Sequence, residues 1–361
     1  MSWQRTYKAT QARLQNANAK NDEIVSAESM LAASYYTGAR FQTVKNIVNM
    51  TGRRTQSRST FFRRQIKCEP KLISKANELE QEACKSFSGD LALDCRWSSK
   101  VRGIHGTVTA VDGVTKKVLA DATLTKFGGS RPNGNFQGSS NSMETEGTKL
   151  VFKTLQERGI VDQIDTVSKD RDNKNKKLYN NYKLNNKIAF DPGHFRNSFT
   201  KALTKMINDN KRFRYVTTDN EEVIVNNPFD SLEGRLLRWF NTCLKEENDD
   251  KRLSMWLSTV PHYLGDHSCC LHDANEIHQV WMQGIEHEPL IDVLNNLIDN
   301  FADDIGRTSV YHSTQCVESV NSMYSRVAPK MKYWNKIDGR IAAGIIRQND
   351  PVEAPFIISE C

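Results

Sequence analysis

The order of elements between Gly89 and Thr200 constrains this chain most, because few topologies accommodate it. Leu91–Arg96, Gly106–Val111 and Val118–Thr125 are short runs rich in apolar and β-branched residues. Gly103 and the pair Asp112-Gly113 stand between them as turn residues, which predicts a three-stranded antiparallel meander. A Gly-, Ser- and Asn-rich loop spans Gly128 to Ser142. It is followed by a helical stripe, Met143, Gly147, Leu150, Val151, Thr154 and Leu155, that stops at Gly159. Ile160–Val167 predicts a further strand finishing at Asp170, Lys174–Tyr182 a short helix, and Ile188–Phe190 a strand finishing at Asp191. The succession is β-β-β-α-β-α-β and then a helix, which makes the chain α/β with a mixed sheet.

The flanks read as helical. From Asp22 the apolar positions Ile24, Met30, Leu31, Tyr35, Val44, Ile47 and Val48 recur at helical spacing around a break at Gly38, and Gly52 stops the second helix. Ser57–Ile66 predicts a third, basic helix, with Ser59 or Thr60 able to cap it. Between Arg40 and Lys71 nine basic residues face the single acid Glu69, with Phe41, Phe61 and Phe62 interleaved. Short helices ending in a basic one are a helix-turn-helix-like arrangement. Arg53, Arg54, Arg58, Arg63, Arg64 and Lys67 are then expected against a phosphate backbone. The competing reading is a helical brace packed on the next domain. The expected division is a tail over 1–20, a helical DNA-binding domain over 21–88 and the first part of the sheet domain over 89–205. A helical insertion over 206–306, the sheet domain's last helices over 307–348 and a C-terminal tail over 349–361 complete it.

Composition excludes a disordered chain: 38% of the 361 residues are hydrophobic, with six Trp and fifteen Phe. The formal net charge of +7 suits a polyanionic partner. Eight Cys lack paired spacing and no apolar leader opens the chain, so reduced thiols in a soluble intracellular protein are expected. No run is long enough to predict a transmembrane helix, so no membrane partner is expected.

Three acids fall at ends of this pattern. Asp94 closes the first strand, Asp170 follows the fourth, and Glu318 lies on an amphipathic helix, Thr314–Val327, where Asn321 shares its face. The element order is that of a ribonuclease H-like fold, in which the first and fourth strands lie side by side, so Asp94 and Asp170 are expected to converge. Asp172 is the rival second acid. Carboxylates in this pattern suit two hard divalent cations, Mg²⁺ or Mn²⁺, and in-line attack at phosphorus. Asp191 and His194 stand at a strand end and helix start, where they can orient the second acid or DNA, or serve as a cap with a partly buried His. The run Pro261–His272 is rich in His and Cys, and His262, His267, Cys270 and His272 are the expected ligands of one structural Zn²⁺. Trp239 and Trp256, near Arg235 and Arg238, are candidates either for stacking on bases or for the core.

Four pieces of sequence resemble a Mutator-like or Kolobok-like eukaryotic cut-and-paste transposase, over roughly Ser26 to Ile346. Asp94-Cys-Arg-Trp97 with Gly106-Thr-Val-Thr-Ala-Val-Asp112 is similar to the family's first-acid strand and hairpin. Ser140-Asn-Ser-Met-Glu-Thr-Glu146 resembles the start of its first long helix. Lys169-Asp170-Arg171-Asp172, followed by Asp191 and His194, resembles its second-acid motif and the Asp/Cys-x-x-His motif after it. Thr314-Gln-Cys-Val-Glu318-Ser-Val-Asn321, running on to Ala328-Pro-Lys330, resembles its third-acid helix. Cys95 stands where Gly is usual, and Asp-Arg-Asp where Asp-Gly-Asp is common. The resemblance implies a ribonuclease H-like domain carrying a DDE triad, Asp94, Asp170 and Glu318. It also implies metal-dependent DNA cleavage and strand transfer at transposon ends, a homo-oligomer and nuclear residence. The alternative is a domesticated, catalytically inactive DNA-binding descendant.

Overall fold

In a computed structural model the residues described are 24–25, 27–98, 103–128, 134–171, 175–210, 212–216, 222–226, 229–266, 268, 288–330 and 337–360. The tail expected over 1–20 lies outside them. The strands are β1 (Ile24–Val25), β2 (Arg54–Thr55), β3 (Asp90–Trp97), β4 (His105–Asp112), β5 (Val118–Thr125), β6 (Thr166–Lys169), β7 (Ile188–Phe190), β8 (Arg212–Val216) and β9 (Glu222–Asn226). The protein is α/β, with a mixed five-stranded sheet of order β5-β4-β3-β6-β7. Its chain divides into two compact units. The first is Met1–Asp165, Lys174–Tyr182 and Gln315–Cys361, and the second is Thr166–Asn173 and Lys183–Thr314.

The meander forms in the first unit as the turn residues predict. β3 and β4 pair antiparallel from Leu91↔Asp112 to Trp97↔Gly106, and β4 and β5 from His105↔Thr125 to Val111↔Val118. Asp112 organises the second turn: its carboxylate accepts from Ser88 Oγ at 2.6 Å and from the Val114 amide at 2.8 Å. Every residue of β4 is buried, so helices cover both faces. Side chains alternate along a strand, which sorts these helices. On the Val108 face lies the helix Ser140–Glu157, seated so closely that a Cβ on Gly147 would come 2.6 Å from Val108 Cγ2. On the opposite face, that of Ala92, Asp94 and Arg96, lie the helices Arg58–Cys84, Gln315–Val327 and Ile337–Asn349. They share one core with Ala92, Val111 and Val118.

Several local expectations need correction. The basic helix does not stop at Ile66 but runs as one helix to Cys84, capped by Ser57, whose Oγ accepts from the Thr60 amide at 3.1 Å. Phe61, Cys68, Leu72 and Ala76 on one side of it enter the core, and Pro70 sits on the exposed side, where the carbonyl it leaves unpaired can meet water. The break at Gly38 is real: its φ is +66°, and a Cβ there would lie 1.7 Å from the Arg326 carbonyl oxygen. Ile160–Ile164 is not strand, because Val161–Gln163 winds as a 3₁₀ turn after Gly159 and the fourth strand begins only at Thr166. The expected C-terminal tail forms a helix, Ala354–Glu360, whose Ala354 and Ile358 join the core.

In the second unit β6 and β7 pair in parallel, Val167↔Ile188 to Lys169↔Phe190. Helices Pro192–Asp209, Phe229–Cys243, Asp249–Leu257, Thr259–Tyr263 and Glu288–Ile305 follow. Phe195, Phe199, Phe240, Trp256 and Phe301 pack edge-to-face and stacked at the centre of that unit, with ring centroids 4.8 to 5.6 Å apart. The region expected to be helical also holds the antiparallel hairpin β8–β9, in keeping with the alternation in Arg-Phe-Arg-Tyr-Val and the β-branched run in Glu-Val-Ile-Val-Asn. No helix among the described residues is long and apolar enough to cross a membrane.

Candidate active site

Asp94 lies on β3, on the face covered by the helix Gln315–Val327. One of its carboxylate oxygens accepts from the Cys95 amide at 2.7 Å, and the other from Asn321 Nδ2 at 2.8 Å. Asn321 is buried, and Glu318 stands one turn earlier on the same side of that helix, exposed to solvent. Two residues beyond Asp94, and therefore on the same face, Arg96 fastens the same helix. Its Nε donates to Ser325 Oγ at 3.0 Å and its terminal nitrogen to the Ala328 carbonyl. Burial pushes the Arg96 guanidinium down to about 10, with Tyr324 working the other way, so it stays protonated at neutral pH. Asn321 was anticipated from its spacing to Glu318. Arg96 and Ser325 were not, and the local hint is a second charged residue on the same inward face of the strand as Asp94.

Asp170 follows β6 in the second unit. His194 Nε2 lies 3.5 Å from Asp170 Oδ1, both side chains being 46% exposed. Asp191 caps the helix that carries His194. Its carboxylate accepts from the His194 amide at 2.9 Å, the Thr314 amide at 2.9 Å, Thr314 Oγ1 at 3.1 Å and Ser313 Oγ at 3.2 Å. Burial pushes this carboxyl up, but those donors outweigh it and hold it below the usual carboxylate range. The Asp191 amide donates to the Lys169 carbonyl at 2.9 Å, fixing the two strand ends together. Arg171, next to Asp170, is pinned in turn. Its guanidinium lies 4.4 Å from the centroid of Phe301 and 5.4 Å from that of Phe195, and its Nε meets Asp304 Oδ2 at 2.6 Å. Asp172, the rival second acid, lies outside the described residues.

Among the described residues no group of three or more His, Cys, Asp and Glu side chains is placed to hold a metal ion. Both oxygens of Asp94 already accept hydrogen bonds, and Asp170 is matched with His194. His267, Cys270 and His272 lie outside the described residues. His262, the remaining zinc candidate, lies beside Trp239 with ring planes 10° apart. Trp256 belongs to the core: it is 1% exposed and its indole N–H donates to the Ile298 carbonyl at 2.9 Å.

The six basic candidates flank or occupy the first turns of Arg58–Cys84. Arg53, Arg54, Arg58, Arg63 and Lys67 are exposed and Arg64 is half-buried, while Arg58 lies 5.5 Å from the ring centroid of exposed Phe62. One helix therefore presents a basic, aromatic-bearing side to solvent and its apolar side to the core. No known protein family matches the chain, and no curated protein matches it.

Proposed function

We propose that this chain is a DNA-processing protein of the DDE-transposase kind, built on a ribonuclease H-like sheet, with Asp94, Asp170 and Glu318 as its acids. The observation that carries this reading is the hydrogen bond from Asn321 to Asp94. It seats the third-acid helix on the first-acid strand across the whole intervening chain. The strand order β5-β4-β3-β6-β7 has the first and fourth strands of the sheet side by side, which supports that fold, and the solvent-facing basic side of Arg58–Cys84 suits a duplex backbone. In this reading Asp191 and His194 position Asp170, double-stranded DNA is the substrate, the protein is a nuclear homo-oligomer, and Mg²⁺ or Mn²⁺ is taken up with DNA.

A second reading is a DNA-binding descendant that no longer cuts, which the departures at Cys95 and at Asp170-Arg171-Asp172 favour. Nicking of supercoiled DNA in Mn²⁺, with Asp94→Ala and Asp170→Ala beside the wild type, decides between them. Nicking by the wild type, lost in both folded variants that still bind DNA, supports strand cleavage. DNA binding without nicking, on terminal-repeat as well as plasmid substrates, supports the second reading. A chain that neither binds nor cuts DNA defeats both.

A further inference from the structure

The helix Arg58–Cys84 carries two adjacent rows of side chains along its solvent side. Residues four apart lie one above the other on a helix, so Arg58, Phe62 and Ile66 form one row and Arg63, Lys67 and Lys71 the next. All six are exposed, Phe62 by 41% and Ile66 by 59%. Phe62 is anchored from behind: its ring stands edge-on to that of buried Phe61, with centroids 5.4 Å apart, and lies 6.4 Å from that of buried Phe41. The Arg58 guanidinium holds a positive charge beside the same ring. Glu69, the single acid between Arg40 and Lys71, is buried on the other side of the helix, where its carboxylate accepts from the Gly339 amide at 3.3 Å.

A lone exposed apolar side chain needs no explanation. Two in one row, one of them a fixed ring, with cations along the row beside them, call for a ligand that offers apolar groups and negative charge side by side. The major groove of duplex DNA is such a ligand. It admits an α-helix, its rims are phosphates, and its floor carries the C5-methyl groups of thymine, which apolar side chains contact. We propose that Phe62 and Ile66 read thymine methyl groups in the major groove, while Arg63, Lys67 and Lys71 hold the phosphates alongside. This rests on the DNA-binding reading above and adds to it, because phosphate contacts carry no sequence information whereas contacts to base edges do. It does not depend on Asp94, Asp170 or Glu318, so strand cleavage and thymine reading can fail separately.

Duplexes enriched by the full chain from a random-sequence pool test it, each compared with the same duplex carrying deoxyuridine for thymidine, which lacks only the methyl group. Wild type should bind the thymidine form about fourfold more tightly for each methyl covered, the effect of burying one such group. Phe62→Ala and Ile66→Ala should each reduce that preference and together abolish it, with the circular dichroism of the folded chain retained because both side chains are exposed. Lys67→Ala should instead weaken both forms alike and lower the slope of affinity against salt by about one. Enriched sites without thymidine, equal affinity of wild type for the two forms, or a preference that survives in the double variant overturns the proposal while DNA binding stands. Loss of self-association in the double variant with DNA binding unchanged assigns the apolar row to a second copy of the chain and also overturns it. A chain that binds no duplex defeats the DNA-binding reading and this inference with it.

Discussion

Asn321 is the residue on which the first half of the candidate site turns, because it is buried and gives Asp94 a side-chain donor. Asn321→Ala removes that donor, and since Asp94 is only partly buried the cost should be about 1 kcal/mol, near the lower end for an unsatisfied acceptor. Asn321→Asp should cost more at pH 8, where two carboxylates face each other, and the deficit should shrink toward pH 5 as the pair takes up a proton. Urea midpoints of the two variants across that range check both statements. An Asn321→Asp protein as stable as wild type at pH 8 would show that the contact is not maintained in solution. Asp191 gives the opposite pH dependence. Its folded-state carboxyl lies below the ordinary value of 3.8, so the stability it contributes is present above that value and is lost as pH falls below it. Asp191→Asn should therefore melt at lower temperature than wild type at pH 7, with the gap closing below about pH 4.

At the scale of elements, the crossing of Ser140–Glu157 over β4 tests how far close packing outweighs helix propensity. Gly147→Ala gains about 1 kcal/mol of intrinsic helix preference. It also places a methyl 2.6 Å from Val108 Cγ2, and overpacking of that kind costs roughly 1–3 kcal/mol. A net loss of about 1 kcal/mol is expected, recovered in part when Val108→Ala is added, and chemical denaturation of the single and double variants measures it. The elements legible in sequence are those whose signals are local. Asp112-Gly113 and the period-two runs around it placed β3, β4 and β5 within a residue or two. The long helix was cut short because the charges of Arg63, Arg64 and Lys67 mask the apolar stripe Phe61, Cys68, Leu72 and Ala76 that continues through it. Ile160, Val161 and Ile164 look like strand because they are buried, but a 3₁₀ turn buries them too. Within the candidate site Asn321 was legible by helical spacing from Glu318. Arg96 and Arg171 were not, since their partners Ser325 and Asp304 lie far away in sequence and only the folded chain brings them near.

At the scale of the molecule, the first unit gathers distant parts of the chain around one cluster of charges, in which Glu80 is buried, Asp121 and Arg158 are half-buried and Asp338 is exposed. Glu80 comes from the long helix, Asp121 from β5, Arg158 from the turn after Ser140–Glu157, and Asp338 from a helix near the C-terminus. Arg158 meets Glu80 Oε2 at 2.9 Å and also donates to the Leu119 carbonyl, so one cation serves an acid and the sheet edge beside a second acid. Burial, then Glu80, then Asp338 push the Asp121 carboxyl well above its ordinary value, with Arg158 pulling back less strongly, while burial also raises Glu80. An acid whose folded-state value is raised adds stability below its unfolded value, near pH 4, and that stability is lost as pH rises through the folded value. Wild type should therefore lose stability from mildly acid toward alkaline pH through this cluster. Asp121→Asn removes the titrating group while keeping its size, so it should melt higher than wild type at pH 8 and no higher at pH 4. Arg158→Met leaves Glu80 without its cation and should steepen the same alkaline loss. Melting curves of both variants at pH 4, 6 and 8 are the measurement. If Asp121→Asn melts lower than wild type at pH 8, the ionised Asp121 is part of a stabilising pair with Arg158, and the prediction of an alkaline loss through this cluster fails.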